Sequence, residues 1–279
     1  MIKKQLGKYL QEILKKSVES AVREQGLSGL VRSLEKVVPD ITEQYSTRKL
    51  DTAYLQIKAR GLHGFQISLI NEVIGEFEKP AIADIGDSAG THLQYLIGLY
   101  SLKKAIKCFS INLDPEAVKK IKQKGLEAFN MRAEELSGNN IKADIFLCFE
   151  LLEHMTDPCR FLYALSQAKD AKYLIITVPY VKKSRVGLQH IRFGNKGNMR
   201  AENTHIFELS PEDWKLLVKH SGWKVTREKI YFQYPRIGLY ALTKAIWKKL
   251  DFEGFYGLIL ERDDTWSSLY KDWPDGVVK

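Results

Sequence analysis

A chain of 279 residues can bury a complete α/β core and still have about a quarter of its length left over. Its 44% hydrophobic and 28% charged residues are those of an ordinary globular protein, and no apolar run nears the roughly 18 residues that cross a bilayer. The net charge is +9, with no acidic residue between Asp170 and Glu202, an interval that holds Lys172, Lys182, Lys183, Arg185, Arg192, Lys196 and Arg200. That interval reads either as a solvated loop or as a platform for an anionic substrate or a nucleic acid.

Residues 1–78 read as a helical N-terminal extension. The chain opens on a basic Met1-Ile2-Lys3-Lys4, but no apolar h-region or small-residue cleavage site follows, so this is a helix start rather than a signal peptide. Ile2, Leu6, Leu10, Leu14, Val18 and Val22 recur at helical spacing until Gly26. Shorter helices are expected over 27–38, 50–59 and 66–76. A cap packed on a catalytic domain is the expected role, with homodimerisation or partner binding as the alternative. Residues 79–279 have a different texture. Strands over 81–85, 105–113, 128–131, 145–148 and 173–178 alternate with helices from Ala89 and over 115–124 and 158–168. This rhythm predicts a doubly wound, mostly parallel sheet with helices on both faces and ligands beyond the carboxyl ends of the strands. After the basic stretch, Ser210-Pro211-Glu212-Asp213 is a capped helix start, Gly222 ends that helix, and a strand over 223–231, a helix over 237–250 and an apolar run over 255–260 close the chain.

The three cysteines, Cys108, Cys148 and Cys159, cannot all pair and form no CxxC. Reduced thiols in a cytoplasmic protein are the simplest account. The chemistry-bearing segments lie at strand ends. The first strand runs into Asp84-Ile85-Gly86-Asp87-Ser88-Ala89-Gly90-Thr91, where glycines allow backbone to pass close to a ligand. The spacing differs from the GxGxxG of a dinucleotide site. The second strand ends in Asn112-Leu113-Asp114, polar groups suited to ribose hydroxyls. Arg132-Ala133-Glu134-Glu135-Leu136 follows the third, and Cys148-Phe149-Glu150-Leu151-Leu152-Glu153-His154-Met155-Thr156-Asp157-Pro158 the fourth.

This ordered set resembles the class I S-adenosylmethionine (SAM)-dependent methyltransferases of type 11/12, close to the ubiquinone-type O-methyltransferases and glycan-modifying enzymes. The resemblance spans roughly residues 78–235, and its most specific part is the LEH-x-x-DP signature ending at Pro158. It implies a seven-stranded Rossmann-like sheet. It places Asp84, Gly86, Ser88 and Gly90 around the methionine part of the cofactor, Asn112 and Leu113 at the ribose, Ala133 and Glu134 near the adenine, and Cys148, Phe149 and Glu150 beside the sulfonium. Two positions depart from the family pattern: Ser88 replaces a glycine, and Asn112 replaces the ribose-gripping carboxylate, which removes a charge-assisted hydrogen bond.

Methyl transfer to a hydroxyl requires alignment and proton removal, and histidine suits the second near neutral pH. His205 is the leading candidate, followed by His154 and His190, with Tyr180 as an acceptor contact. No histidine pair has HxxxH spacing, so transfer without a metal is expected. The acceptor reads as a small molecule or glycan, bound in part by the loop over 181–209. RNA or protein methylation is an alternative, but residues 1–78 hold only 12 Lys and Arg against 10 Asp and Glu, which is no nucleic-acid arm. A non-catalytic interaction protein on the same fold is the other. Tyr240–Leu250 is amphipathic and basic, and reads as sheet packing or as peripheral membrane contact.

Overall fold

The computed structural model describes residues 2–45, 49–102, 104–135, 139, 141–167, 171–199 and 204–270. Its seven-stranded sheet comprises β1 (Ala81–Ile85), β2 (Lys107–Asn112), β3 (Glu127–Asn130), β4 (Ile145–Phe149), β5 (Tyr173–Pro179), β8 (Trp223–Phe232) and β9 (Gly254–Arg262) in the order β3-β2-β1-β4-β5-β9-β8. The first five are parallel, and β9 is antiparallel to both its neighbours. A separate two-stranded ribbon, β6 (Arg185–Val186) with β7 (Phe207–Glu208), lies within the loop over 181–209.

Side-chain alternation divides the sheet into two apolar faces. On β4, Ile145, Leu147 and Phe149 point to one side, and Phe146 and Cys148 to the other. The first side is covered by α1 (Ile2–Glu24), α2 (Ser28–Val37), α3 (Ala53–Asn71) and part of α4 (Thr91–Tyr100). The second is covered by α6 (Pro158–Gln167) and α8 (Pro211–His220), with Trp214 and Trp223 in the core. Both faces being covered explains why central strands are apolar at consecutive positions.

The helical extension is therefore one layer of the sandwich. Leu14, Val18 and Val22 share a core with Ile82, Ile175 and Ile259 of the sheet. Polar contacts reinforce the join: the Gln25 amide both donates to the Phe232 carbonyl and accepts from the Phe232 N–H, each at 2.9 Å. The buried Arg60 donates to the carbonyls of Val38 (2.9 Å) and Pro39 (2.5 Å), which sets the path of the segment leading to Gln44.

The expected pair of helices over 50–59 and 66–76 is one continuous helix, α3. Gly61 and Gly64, which fall in the gap between the two expected helices, sit inside it because neighbours need the room. A Cβ at Gly61 would come within 3.2 Å of Val22 and collide with the Tyr231 hydroxyl, and one at Gly64 would lie 2.9 Å from Val31. Gly257 on β9 does the same for Phe65 and Leu69 of α3, which would stand 2.7 and 2.6 Å from an added Cβ. The predicted helix over 237–250 begins as a 3-10 turn at Leu239–Thr243 and becomes α9 (Lys244–Leu250), with Trp247 buried and donating to Ser17 Oγ at 3.2 Å. No helix among the described residues is long and apolar enough to cross a membrane.

Candidate active site

A cavity of about 1010 Å³ lies at the carboxyl ends of β1, β2, β4 and β5. The turn after β1 forms one wall. Gly86 (φ +87°) and Gly90 (φ +73°) both occupy the left-handed region that disfavours a side chain. Gly86 lines the cavity, whereas Gly90 caps the start of α4, where a Cβ would meet Leu126 at 2.8 Å. Between them, Asp87 Oδ1 accepts from the Ala89 N–H at 3.1 Å, and Ser88 Oγ donates to the Gln44 carbonyl at 2.8 Å. The N-terminal layer thus reaches the glycine turn directly.

Asn112, at the tip of β2, is committed to the backbone. Its Nδ2 donates to the Asp87 carbonyl (3.1 Å), and its Oδ1 accepts from the Asp114 N–H (2.9 Å). It braces the glycine turn against β2, and Asp114 then caps α5 (Pro115–Gln123).

Beneath the turn runs a buried polar chain. Asp84 meets His92 Nδ1 at 3.1 Å, His92 Nε2 meets Gln66 Oε1 at 2.9 Å, and Gln66 Nε2 donates to Thr177 Oγ1 at 3.0 Å. Burial and then the Asp87 charge push the Asp84 carboxyl up to about 6. Burial alone would lower His92, but the hydrogen bond and charge of Asp84 outweigh it and hold the imidazole above its ordinary value. The chain ties β1, α4, α3 and β5 together at the cavity floor.

The opposite wall follows β4. Glu150 has φ +51°, a strained conformation for a side-chain-bearing residue, and burial pushes its carboxyl up to about 8. After it, the turn Leu152–His154 carries Glu153, fully buried, with its carboxyl far above the ordinary range through burial and the Glu150 charge. His205 stands across from this turn, clamped on both sides. The Ile206 N–H donates to the Glu153 carbonyl (2.6 Å), and the Leu188 N–H to the His205 carbonyl (2.6 Å). The His205 ring stacks on Phe252 (5.2 Å, 13°) and meets His154 edge-on at 4.7 Å. Its Nδ1 lies 3.4 Å from Glu208, which also pairs with Arg185. Burial would raise Glu208, but His205 and Arg185 outweigh it and keep the carboxyl below its usual value.

Of the residues singled out from sequence, Asp84, Gly86, Ser88, Asn112, Leu113, Phe149, Glu150, His154 and His205 line this cavity. Ala133 and Cys148 are buried in the core on the other side of the sheet, because β4 alternates and Cys148 falls on the α6–α8 face. Glu134 belongs to the 3-10 turn Ala133–Glu135, and its side chain lies outside the described residues. His190, in the short helix α7 (Gln189–Arg192), is outside the lining. Tyr180 borders a second, more open cavity with Lys182 and Lys215, its ring edge-on to Phe232. Residues 200–203 of the basic interval lie outside the described residues. Within it, Lys172 pairs with Glu76, Arg185 with Glu208, and Arg192 donates to the carbonyls of Val186 and Gly187.

Lining residues that sequence reasoning missed include Gln44, Lys58, His63, Gln66, His92, Gln233 and Asp251. A signal existed for some of them: His63, Gln66 and His92 are polar residues inside otherwise apolar helical runs, and all three are buried. Eight carboxylates and three lysines line the cavity. Gln44, Asp87, Glu150, Glu153 and Gln233 each hold a buried side-chain oxygen with no hydrogen-bond partner. A rim of waiting acceptors over a glycine turn suits a ligand that carries a sulfonium, an ammonium and ribose hydroxyls.

Sheet order, glycine turn and acceptor-rich cavity define the class I, SAM-dependent methyltransferases. Residues 67–228 match a methyltransferase-domain family, and the chain belongs to it. Its cofactor is SAM, and it is an enzyme of the methyltransferase class. Among solved structures it is similar to a protein provisionally assigned as a sarcosine dimethylglycine methyltransferase from Galdieria sulphuraria (13% identity, TM-score 0.53, 75% of this chain and 88% of that one). It is also similar to the 4+2 cyclase SpnF (14% identity, TM-score 0.52, 88% and 97%). At these identities the likeness speaks for the fold alone. No curated protein sequence matches it significantly.

Proposed function

We propose that this chain transfers the methyl group of SAM to a hydroxyl of a small-molecule or glycan acceptor, which is addressed by His205. The carrying observation is the placement of His205 on the cavity wall, anchored by Glu208 and Phe252, in the same cavity as the glycine turn. In this reading Asp84, Gly86, Ser88, Asn112 and Leu113 shape the cofactor end, Phe149 and Glu150 adjoin the reacting centre, and His154 and His205 face the acceptor. Bound SAM supplies an electrophilic methyl on a positively charged sulfur. The protein aligns the acceptor, shuts out water and handles one hydroxyl proton. The carboxylate-rich lining disfavours a strongly anionic acceptor, and the pairing of Lys172, Arg185 and Arg192 leaves less of the basic interval available to one. Residues 1–78 act as a cover over a catalytic unit formed by 79–279.

The test has two readouts. His205→Ala should lower methyl transfer about 100-fold or more, while S-adenosylhomocysteine binding by calorimetry stays within a few-fold. Full turnover in that variant defeats the assignment, and absence of binding by the wild type at millimolar S-adenosylhomocysteine defeats the enzyme reading altogether. A peripheral contact with anionic lipid is favoured by one separate observation: Ile237, Leu239, Leu242 and Leu250 are all exposed on the segment that carries Arg236, Lys248 and Lys249. Co-sedimentation with phosphatidylserine vesicles, abolished in Ile237→Ser/Leu242→Ser, checks it; equal pelleting of wild type and variant removes it.

A further inference from the structure

We propose that Glu153, His154 and His205 form a binding site for one divalent first-row transition-metal ion at the acceptor end of the cavity. One ligand atom from each of the three residues lies within 4.8 Å of the others. Ligand atoms about 2.1 Å from a common ion are about 3 Å apart when adjacent, so modest side-chain rotation closes the site. Proximity alone would mean little; two independent features point to an ion.

The first is Glu153. It is fully buried, lines the cavity, and neither carboxyl oxygen has a hydrogen-bond partner. A buried carboxyl without donors is costly, and a cation removes that cost. Glu150, four residues from the histidine and on the same cavity wall, likewise has an oxygen without a partner.

The second is how the imidazoles are held. His154 Nδ1 faces the Thr204 carbonyl at 3.1 Å, so it must carry the proton there, and the neutral ring's lone pair is on Nε2. Nε2 lies 3.9 Å from Glu153 Oε1. His205 Nδ1 is 3.4 Å from Glu208, a carboxylate able to fix the other imidazole in the same way. An outer carbonyl or carboxylate that orients the ring and directs its second nitrogen inward is the usual support of a metal-bound histidine. Two imidazoles and one carboxylate favour Mn²⁺, Fe²⁺, Co²⁺ or Zn²⁺ over the all-oxygen preference of Ca²⁺ or Mg²⁺. Three protein ligands leave positions open toward the cavity, where an acceptor oxygen could bind and its O–H be acidified.

The inference deepens the proposed reaction and rests on its acceptor site: His205 would act by holding the ion rather than by taking the proton itself. It also departs from the metal-free expectation. No close histidine spacing marks the site, because it pairs His154 with a residue 51 positions later.

The test needs no acceptor. The full chain, stripped with a chelator and dialysed, is titrated with Mn²⁺ while the electron paramagnetic resonance signal of free Mn²⁺ is followed, and with Co²⁺ while its visible absorption is followed. One ion per chain is expected. Glu153→Gln and His154→Ala should each weaken binding more than about 100-fold, Glu208→Gln about 10- to 100-fold, and His190→Ala not at all. Circular dichroism confirms folding of each variant. No binding at 1 mM of either ion, or binding that survives both Glu153→Gln and His154→Ala, overturns the site. The His205→Ala transfer assay stands or fails separately.

Discussion

Asn112→Asp restores the carboxylate usual at the ribose position of related methyltransferases, yet it should harm this protein. Asn112 Nδ2 donates to the Asp87 carbonyl at 3.1 Å, while Oδ1 accepts from the Asp114 N–H at 2.9 Å. An aspartate keeps the second bond and loses the first. Its other oxygen then faces a carbonyl, acceptor against acceptor, beside an Asp87 side chain that already has one buried oxygen without a partner. Losing a donor and leaving an acceptor unsatisfied costs about 1–3 kcal/mol. Urea denaturation of wild type and variant, with unchanged m-values, should show that loss. Calorimetric titration with S-adenosylhomocysteine should show no gain in affinity. A variant as stable as the wild type that binds about tenfold tighter, a gain of about 1.4 kcal/mol, would refute the reasoning and make position 112 a ribose ligand rather than a brace.

Gly257→Ala places a Cβ 2.6 Å from Leu69 and 2.7 Å from Phe65, and overpacking of this kind should cost about 1–3 kcal/mol by denaturant titration; a loss below about 0.5 kcal/mol would mean α3 moves freely on the sheet. Asp84, raised to about 6, and His92, also raised, keep their protons to higher pH in the folded than in the unfolded chain. Their contribution to stability is therefore complete below about pH 4 and is lost as pH rises through 6 and past the histidine. Relative to Asp84→Asn, the ligand-free wild type should accordingly lose melting temperature between about pH 4 and pH 6; an equal pH dependence in both proteins contradicts this. Burial pushes the Cys108 thiol up to about 12, the Cys148 thiol well above its ordinary value, and the Cys159 thiol up as well. At pH 8 Ellman's reagent should find at most one fast thiol in the native chain and three after unfolding, and two or more fast native thiols would contradict the packing of β2 and β4.

The sheet was largely legible because each parallel strand is an apolar run that ends on a polar or glycine-bearing turn. Ser210 was readable as a cap from four consecutive residues, and it accepts from the Asp213 N–H as expected. Elements without a local pattern were not readable. Two-residue strands such as β6 and β7 have no periodicity, and Gly61 and Gly64 signal breaks unless the side chains that crowd them are known. The resemblance in motifs points to the turn after β1 but does not tell lining from support. Gly90 caps a helix, and Cys148 turns into the opposite core, while Gln44 and Gln66, from a region with no motif, reach the cavity. The grouping of Glu153 and His154 with His205 depends on residues 204–206 being laced to the turn after β4, a tertiary fact with no signature in spacing.

The apolar layer shared by α1–α3 and the sheet has a consequence for how this enzyme can change. Helix α3 presses Phe65 and Leu69 onto Gly257 with one set of side chains and supplies Gln66 and His63 to the cavity with another. A substitution that shifts α3 is thus felt by folding and by the cavity wall together. Grafting a foreign N-terminal segment onto residues 79–279 would strip Ile82, Ile175 and Ile259 of their cover and remove part of the binding wall in the same stroke. The cavity wall can change by exchange of single residues along α3 and the segment around Gln44, but not by wholesale replacement of that layer.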